Sequence, residues 1–281
     1  MNTDHREIFR AACVQITSGP EIDANIEAAA KLIRGAHTAG ATFITTPEMV
    51  SLIEPRGKAL FEKVHSQDED PALAAFRALA AELRVWLLIG SLPIRIGETK
   101  VANRSFLIDD RGAISASYDK IHMFDVDLPD GQVYLESKDY QPGTKVVVAD
   151  TPWGRLGLSV CYDLRFGYLY RALAKAGATI LTVPAAFTHY TGQAHWHILV
   201  RARAIETGCF VIAPAQTGAH AGGRETYGHS LVVDPWGAVL ADAEEGPGFV
   251  IADIDTALVG EARAKVPALE HDRPIETIGL T

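Results

Sequence analysis

The strongest constraint on the fold of this chain is a sequence pattern that occurs twice. It consists of two segments, each with a counterpart in the second half: Ala39 to Pro47 with Ala176 to Pro184, and Ser105 to Ala113 with Ser230 to Ala238. Between the two segments, each half has the pattern of a helix followed by a strand: Pro71 to Arg84 and Val85 to Ile89 in the first half, Ala194 to Thr207 and Cys209 to Ala213 in the second. Both halves therefore follow the same order of helix, glycine, strand, proline, helix, strand and hairpin. Two matches in the same order and at similar spacing favour an internal duplication over a chance likeness between turns.

Each repeated unit has the pattern of an α/β unit. Ile22, Ile26 and Ile33 recur at helical spacing ahead of Gly40, and Asp70 precedes a second apolar stripe as an N-cap residue. Two such units can bury their sheets against each other with the helices outside. We therefore predict the class α/β, as a four-layer α-β-β-α sandwich built from two similar halves. We expect a single domain over residues 1–281, with its core at residues 10–274.

The charge balance limits the possible partners. The chain has 26 Lys+Arg against 35 Asp+Glu residues, a net charge of −9. An acidic surface of this size opposes non-specific binding to nucleic acid or anionic lipid, so we expect neither as a partner. Local charge can still oppose the global sign, which leaves an anionic substrate possible. The N-terminal residues lack the apolar core of a signal peptide, and no apolar run approaches the roughly 20 residues that span a bilayer. We therefore expect a cytoplasmic protein.

The three cysteines are too few and too scattered for a disulfide framework or a zinc site. Cys161 differs from the other two, because an apolar strand-like run leads into it and a helical pattern begins just after it. A thiol at such a turn lies at the edge of a sheet, where backbone N–H groups can stabilise an oxyanion. Cys13 and Cys209 lie in apolar strand-like runs and are expected to be inert core residues. A buried structural role is the alternative for Cys161.

A nucleophilic cysteine needs a base and charge stabilisation. The candidate histidines, among which spacing selects none, are His122, His189, His195, His197, His220 and His229. A desolvated carboxylate can do the same work as a histidine. Glu48 and Lys120 each follow directly after a strand-like segment, so both are placed at a strand end. Taken alone, the pattern favours a solvated loop carboxylate for Glu48 and a surface lysine for Lys120.

Three segments, taken in order, resemble the signatures of the nitrilase, or carbon–nitrogen hydrolase, superfamily. They are Thr46-Pro47-Glu48, the run from Tyr118 to Asp125 and the run from Cys161 to Phe166. The resemblance extends from about Arg10 to about Pro274, and three motifs in order are far more specific than one. It implies the four-layer sandwich, a Glu-Lys-Cys triad, no metal, no organic cofactor, and assembly into a homodimer or homotetramer.

The resemblance also implies a role for each site residue. Cys161 is expected to be the nucleophile, Glu48 the general base and Lys120 the group that stabilises the tetrahedral oxyanion. The backbone N–H of Tyr162 is expected to be the second oxyanion donor. Glu136 resembles a further active-site glutamate that holds Lys120 and the substrate amide. Attack on an amide then gives a thioester and releases an amine, and water activated by Glu48 hydrolyses the thioester.

Further motifs resemble one subgroup, the deaminated-glutathione amidases. They are the runs Thr191 to Trp196, Arg201 to Thr207, Tyr227 to Ser230 and Asp234 to Gly237. The sister group, the ω-amidases, acts on 2-oxoglutaramate and 2-oxosuccinamate, and both groups act on small anionic 2-oxo amides. We therefore expect conversion of deaminated glutathione to 2-oxoglutarate and cysteinylglycine, with ω-amidase activity as the alternative. An N-carbamoyl-amide or aliphatic amide hydrolase, a transferase and a non-catalytic binding protein are more distant alternatives.

Substrate contacts are predicted at three positions. Arg165 is a candidate because a guanidinium matches a carboxylate with two parallel hydrogen bonds. A salt bridge from Arg165 to Asp163 or a neighbour is the alternative. His189 and His195 are the other candidate substrate contacts.

The chain departs from the family pattern near the expected pocket. Gly167 and Tyr168 stand where relatives commonly have Pro-Glu, and His197 stands where they commonly have a glutamate. These departures bear on the acyl and leaving groups rather than on the triad. The stretch from Lys120 to Gly143 is long and irregular, a property typical of functional loops. The segment from Ala219 to Arg224 is short of side-chain bulk and is expected to form a flexible rim.

Overall fold

The computed structural model describes residues 8–53, 57–129 and 131–274. Residues 1–7, to which the prediction about a signal peptide applies, lie outside these ranges. Residues 275–281 of the predicted domain also lie outside them. Within the described ranges, no helix combines the length and apolar character that crossing a membrane requires.

The strands and helices of the described residues are numbered in chain order. The strands are β1 (Ile8–Gln15), β2 (Phe43–Thr45), β3 (Trp86–Arg95), β4 (Val101–Ile108), β5 (Ile114–Asp119), β6 (Asp125–Asp127), β7 (Val133–Leu135), β8 (Val148–Thr151), β9 (Gly154–Leu158), β10 (Ile180–Thr182), β11 (Phe210–Ala213), β12 (Thr217–Ala219), β13 (Glu225–Tyr227), β14 (Leu231–Val233), β15 (Val239–Asp242) and β16 (Gly248–Asp255). The α-helices are α1 (Ile22–Thr38), α2 (Lys58–Lys63), α3 (Pro71–Leu83), α4 (Gly167–Lys175), α5 (His189–Thr207) and α6 (Ala257–Lys265).

Two six-stranded sheets share one topology, which confirms the predicted duplication. Their strand orders are β16-β1-β2-β3-β4-β5 and β8-β9-β10-β11-β14-β15. In each sheet three neighbouring strands are parallel, namely β1-β2-β3 and β9-β10-β11. Antiparallel strands flank this trio on both sides. One repeated segment contains β2 and β10. The other contains the end of β4 and the turn to β5 in the first half, and β14 and the turn to β15 in the second.

Alternating side chains along the first sheet divide between two cores. Ala12, Ile44 and Leu87 pack with residues of α1 and α3. Phe43 and Leu88 instead join the core that contains the second sheet, α4 and α5. Because successive side chains of a strand point to opposite faces, the layers are helix, sheet, sheet, helix. The predicted four-layer sandwich is confirmed.

The helix boundaries follow signals that are present in the sequence. The carboxylate of Asp70 accepts a hydrogen bond from the Leu73 N–H at 2.8 Å and so caps α3, as predicted. The chain leaves α1 through Gly40, whose φ of +94° lies in the left-handed region. The second repeat differs from the prediction in one respect. Helix α5 begins at His189, five residues ahead of the predicted start at Ala194, because Thr188 serves as its N-cap.

The stretch from Lys120 to Gly143 is more regular than the sequence indicates. Strands β6 and β7 pair as a short antiparallel hairpin, and a 3-10 helix (Glu136–Lys138) follows. Three-residue strands carry too few side chains to show a periodic pattern. This hairpin carries Glu136 back toward Lys120.

Candidate active site

Cys161 lies at the predicted turn between a strand and a helix. Strand β9 ends at Leu158, and a 3-10 helix (Cys161–Arg165) leads into α4. The φ of Cys161 is +52°, a left-handed conformation that is uncommon for a residue with a side chain. Strain of this kind clusters at functional sites. The N–H of Tyr162 belongs to the first turn of the 3-10 helix, where N–H groups have no partner within the helix.

Glu48 is positioned by a bulge in β3. The pairing of β3 with β4 shifts register between Ile89 and Leu92, around Gly90. The Gly90 N–H donates a hydrogen bond to Thr46 Oγ1 at 3.0 Å. A Cβ atom at Gly90 would lie 2.0 Å from the Thr46 carbonyl oxygen, so this approach requires glycine. The bulge therefore holds the backbone that carries Glu48 close against the sheet.

Lys120 is positioned by a second close approach of backbone. Its N–H donates to the Asn103 carbonyl at 2.9 Å, and its carbonyl accepts from the Gly143 N–H at 2.8 Å. A Cβ atom at Gly143 would lie 2.2 Å from the Asp119 carbonyl oxygen. The far end of the loop thus closes on the Lys120 backbone, and Lys120 as a whole is only 2% exposed.

Four predicted residues meet in a buried cluster of charges. Lys120 Nζ lies 3.0 Å from Glu48 Oε1 and 2.8 Å from Glu136 Oε2. Asn103 Nδ2 donates to both carboxylates, at 2.8 Å to Glu48 and 3.2 Å to Glu136. The Cys161 thiol lines the same cavity as Glu48 and Lys120, and the charges of both residues act on its pKa. The carboxylate, the ammonium group and the thiol therefore lie close together.

Backbone groups fix the orientation of both carboxylates. The Ala186 N–H donates to Glu48 Oε2 at 2.9 Å, and the Phe124 N–H donates to Glu136 Oε2 at 2.6 Å. The backbone carbonyl of Glu48 accepts from Gln216 Nε2 at 3.0 Å. Glu48 belongs to the first half of the chain, whereas Ala186 and Gln216 belong to the second. Contacts from the second half therefore help to fix the position of Glu48.

The surroundings separate the protonation states of the three reactive groups. Burial and then the charge of Glu48 raise the pKa of the Cys161 thiol well above its usual value. Burial also acts to raise the pKa of Glu48, but the charges of Lys120 and Arg224, together with hydrogen bonds such as the one from Asn103, leave this pKa below its usual value. Burial alone would lower the pKa of Lys120. The charges of Glu136 and Glu48 act in the opposite direction, and the pKa of Lys120 lies above its usual value. At neutral pH the site thus holds a neutral thiol, a carboxylate and an ammonium ion.

These groups open into a cavity with about 730 Å³ of empty space, its mouth included. Most of its remaining wall is apolar or aromatic: Met49, Leu52, Ile53, Leu60, Phe124, Tyr134, Tyr140 and Phe187. Of the described residues that line it, Arg224 is the cation besides Lys120. The Arg224 guanidinium lies 5.6 Å from the centre of the Tyr134 ring and donates to the Ala186 carbonyl oxygen. Its Nε is buried and has no hydrogen-bond partner among the described residues.

Arg224 and Asn103 are not among the site residues predicted from the sequence. The segment from Ala219 to Arg224, expected to form a flexible rim, joins the paired strands β12 and β13, and its Arg224 lines the cavity. A signal for Asn103 was available, because it is a polar residue inside the apolar run of β4. No comparable signal marks Arg224, since an arginine in a glycine-rich connection is usually solvated.

The three predicted substrate contacts do not line the cavity. The guanidinium of Arg165 lies 5.5 Å from the centre of the Phe187 ring and hydrogen-bonds His195 Nδ1 at 3.3 Å. His195 itself is exposed at the surface of α5. His189 is the first residue of α5, with its ring 5.9 Å from that of Tyr227. Arg165 therefore lies behind an aromatic side chain of the wall.

The alternative partner of Arg165, Asp163, is engaged elsewhere. Its carboxylate lies 2.6 Å from His122 Nδ1 and accepts hydrogen bonds from Tyr118 OH at 2.7 Å and the Val160 N–H at 2.9 Å. Asp163 thus ties β5 and the loop after Lys120 to the turn that carries Cys161. None of the six candidate histidines lines the cavity, whereas the carboxylates of Glu48 and Glu136 do.

The departures from the family pattern also lie outside the lining residues. Tyr168 is 67% exposed, and its hydroxyl contacts His122 Nε2. Gly167 lies against Arg203, whose Nη1 would be 3.0 Å from a Cβ atom at that position. His197 contacts Asp242. The sequence predicts that these three residues lie near the pocket, but none of them lines it.

Comparison with known proteins assigns the family. The sequence pattern of the carbon-nitrogen hydrolases matches residues 10–264. The chain belongs to the carbon-nitrogen hydrolase family. It is thus an amide-hydrolysing enzyme, which confirms the predicted class.

Other carbon-nitrogen hydrolases resemble the chain over most of its length. It is 41% identical over 272 residues to the deaminated glutathione amidase of Synechocystis sp., with 94% of this chain and 97% of the relative covered. It is 41% identical over 275 residues to the human protein of the same name, with 95% and 83% covered. The predicted likeness to this subgroup is confirmed.

Solved structures confirm the fold of this carbon-nitrogen hydrolase. The Caenorhabditis elegans NitFhit protein superposes with a TM-score of 0.89 at 37% identity, over 95% of this chain and 66% of that chain. Saccharomyces cerevisiae Nit3, a member of branch 10 of the nitrilase superfamily, superposes with a TM-score of 0.83 at 30% identity, over 93% and 95%.

Proposed function

We propose that this enzyme hydrolyses deaminated glutathione to 2-oxoglutarate and cysteinylglycine through a thioester on Cys161. The observation that carries the proposal is that Glu48, its ion-pair partner Lys120 and Cys161 line one cavity, whose wall also holds Arg224. The names of the relatives that are 41% identical support the choice of substrate.

The first half of the reaction forms the thioester. Glu48 takes the proton of the Cys161 thiol as the sulfur attacks the amide carbonyl carbon. Because the nucleophilicity of a thiolate rises with the pKa of its thiol, the sulfur is strongly nucleophilic once this proton has left. Lys120 Nζ and the Tyr162 N–H stabilise the negative charge on the carbonyl oxygen. The proton then passes to the amine nitrogen, the C–N bond breaks, and cysteinylglycine leaves.

The second half of the reaction returns the enzyme to its starting state. A water molecule takes the place of the amine, and Glu48 removes its proton as the oxygen attacks the thioester carbonyl. The same two donors stabilise the second tetrahedral intermediate. The C–S bond breaks, the thiol regains its proton, and 2-oxoglutarate leaves. Glu136 holds Lys120 Nζ in position throughout, with contacts of 2.8 and 3.0 Å.

Arg224 is our candidate for the substrate carboxylate, in place of Arg165. Two carboxylates already neutralise Lys120, whereas the free Nε of Arg224 faces no acceptor among the described residues. A guanidinium in an apolar wall gives an anionic ligand a strong, directed contact.

The test is release of 2-oxoglutarate by purified protein from two substrates in parallel, deaminated glutathione and 2-oxoglutaramate. The expected result is a much higher kcat/KM on deaminated glutathione. Preference for 2-oxoglutaramate would instead make the enzyme an ω-amidase, and inactivity on both would contradict the proposed acyl group. Cys161→Ala is expected to abolish turnover and keep the fold, while Cys13→Ala removes a thiol of the opposite sheet as the matched control.

We also propose assembly into a homodimer or homotetramer through the outer face of α5. Ile198 and Ile205, two turns apart on this helix, are 69% and 55% exposed, and Trp236 is 62% exposed. A Cβ atom at Gly237 would lie 2.7 Å from Ile205 Cδ1, so the turn with Trp236 packs beside the helix. Adjacent exposed apolar side chains of this size are typical of interfaces.

We further propose one domain over residues 1–281 and a cytoplasmic location. The family match over residues 10–264 supports a single domain. All three cysteines are free, which suits a reducing compartment and supports the location.

A further inference from the structure

A second cluster of ionisable side chains lies apart from the catalytic cavity. It consists of His197 on α5, His229 in the turn before β14, and Asp242 at the end of β15. His197 Nε2 lies 3.0 Å from Asp242 Oδ2, and His229 Nδ1 lies 3.0 Å from Asp242 Oδ1. The three donor atoms all lie within 4.8 Å of one another. None of the three residues lines the cavity, and the proposed reaction uses none of them.

We propose that this cluster binds one divalent transition-metal ion, of which Zn²⁺ is the representative. Two imidazole nitrogens and one carboxylate oxygen form a ligand set that Zn²⁺ takes in sites with one open position. In a tetrahedral site with metal–ligand bonds of about 2.0–2.1 Å, neighbouring donors lie about 3.3 Å apart. The contacts of 3.0 Å to Asp242 are close to that separation. Mg²⁺ and Ca²⁺ fit poorly, since these ions prefer oxygen ligands.

The backbone around the cluster holds the ligands in place. The Glu244 N–H donates to Asp242 Oδ1 at 2.8 Å, and the Glu244 carbonyl accepts from the His229 N–H at 2.7 Å. Trp196 Nε1 donates to the His229 carbonyl at 2.7 Å. The φ of His229 is +54°, in the left-handed region that residues with a side chain seldom adopt. An ion binding here would order few new groups, which favours affinity.

The cluster is accessible to an ion from solvent. The side chains of His197, His229 and Asp242 are 34%, 18% and 28% exposed. The net charge of −9 favours the approach of a cation. A bound ion would tie α5 to the hairpin β14–β15. The other end of α5, with its N-cap Thr188 and with Thr191 in its first turn, lines the cavity. The expected effect is stabilisation of the folded protein by mass action.

The test is calorimetric titration of tag-free, chelator-treated protein with ZnCl₂, together with Co²⁺ absorption spectra. We compare the wild type with His197→Gln and Asp242→Asn. His195→Gln removes an exposed histidine two residues away on the same helix and is the matched control. Cys161→Ala excludes binding at the active-site thiol. Circular dichroism checks the folding of every variant.

The expected result is one ion per chain in the wild type, His195→Gln and Cys161→Ala, with Co²⁺ d–d bands of low coordination number. His197→Gln and Asp242→Asn should bind at least about tenfold more weakly, and Zn²⁺ should no longer raise their Tm. Equal affinity in His197→Gln and His195→Gln would overturn the proposal. So would loss of binding in Cys161→Ala, or no stoichiometric binding by the folded wild type.

Discussion

Asn103 joins the two carboxylates of the buried cluster, and the hydrogen bond from its Nδ2 is one of the contacts that lower the pKa of Glu48. The pKa of Glu48 is lowered, so the active carboxylate should persist until the pH falls below the usual value of 4.5. We predict that Asn103→Leu moves the acid limb of the kcat/KM profile upward by on the order of one pH unit, because a hydrogen bond to a charged group contributes about 1.5–3 kcal/mol.

The measurement is the pH dependence of kcat/KM in Asn103→Leu and in a matched variant of the same strand. Ser105→Ala removes a buried hydroxyl that donates to the Ile89 carbonyl and contacts neither carboxylate. Its acid limb should coincide with that of the wild type. Coincident limbs in all three proteins would show that Asn103 does not set the ionisation of Glu48.

The two arginines give a direct contrast at the residue scale. At pH 7, Arg224→Met should lower kcat/KM on an anionic 2-oxo amide roughly 10- to 100-fold, mainly through KM, because a charge-assisted contact of about 1.5–3 kcal/mol is lost. Its effect on a neutral amide of equal length should be much smaller. Arg165→Met should change KM little, since that side chain lies behind Phe187. The reverse ranking would restore Arg165 as the substrate contact.

Sequence motifs identified the four clustered residues, and they did so because the chemistry restricts those positions to few residue types. They did not identify Arg224, whose role depends on where a glycine-rich connection folds. Arg165 was chosen for its residue type and its nearness to Cys161 in the sequence. The packing of Phe187 in front of it has no counterpart in the local sequence.

At the scale of elements, the bulge of β3 is the feature on which the position of Glu48 depends. We predict that Gly90→Ala destabilises the protein by roughly 3 kcal/mol and reduces activity strongly, because its Cβ would lie 2.0 Å from the Thr46 carbonyl oxygen. Gly97→Ala is the control, since a Cβ there meets nothing within 4 Å. Thermal melts and kcat together test this. An unchanged Tm in Gly90→Ala would contradict the role assigned to the bulge.

Element boundaries were predictable where a side chain ends or caps a helix, as at Asp70 and Gly40. The prediction missed the hairpin β6–β7, whose strands are three residues long. The predicted strand from Val85 to Ile89 also ends too early, because β3 continues past the bulge to Arg95. A bulge breaks the alternation of apolar residues on which such a prediction rests.

At the scale of the whole molecule, the proposed catalytic groups are divided between the repeats. The first repeat supplies Glu48, and the loop after its hairpin supplies Lys120 and Glu136. The second repeat supplies Cys161, and its Gln216 holds the backbone of Glu48. The duplication in the sequence predicted the two sheets, but neither repeat alone indicates that they meet around one cluster. That contact arises from burial of the two inner sheet faces against each other.

The outer face of α5 carries the last prediction, which concerns assembly. Size-exclusion chromatography with light scattering should give a dimer or tetramer for the wild type. Ile198→Glu should dissociate it, because Ile198 is 69% exposed in one chain and a buried charge opposes association. Ile96→Glu places the same charge on a side chain that is 39% exposed in the β3–β4 hairpin and should keep the wild-type mass. If the oligomer persists in Ile198→Glu but dissociates in Ile96→Glu, the interface lies at the first sheet and not at α5.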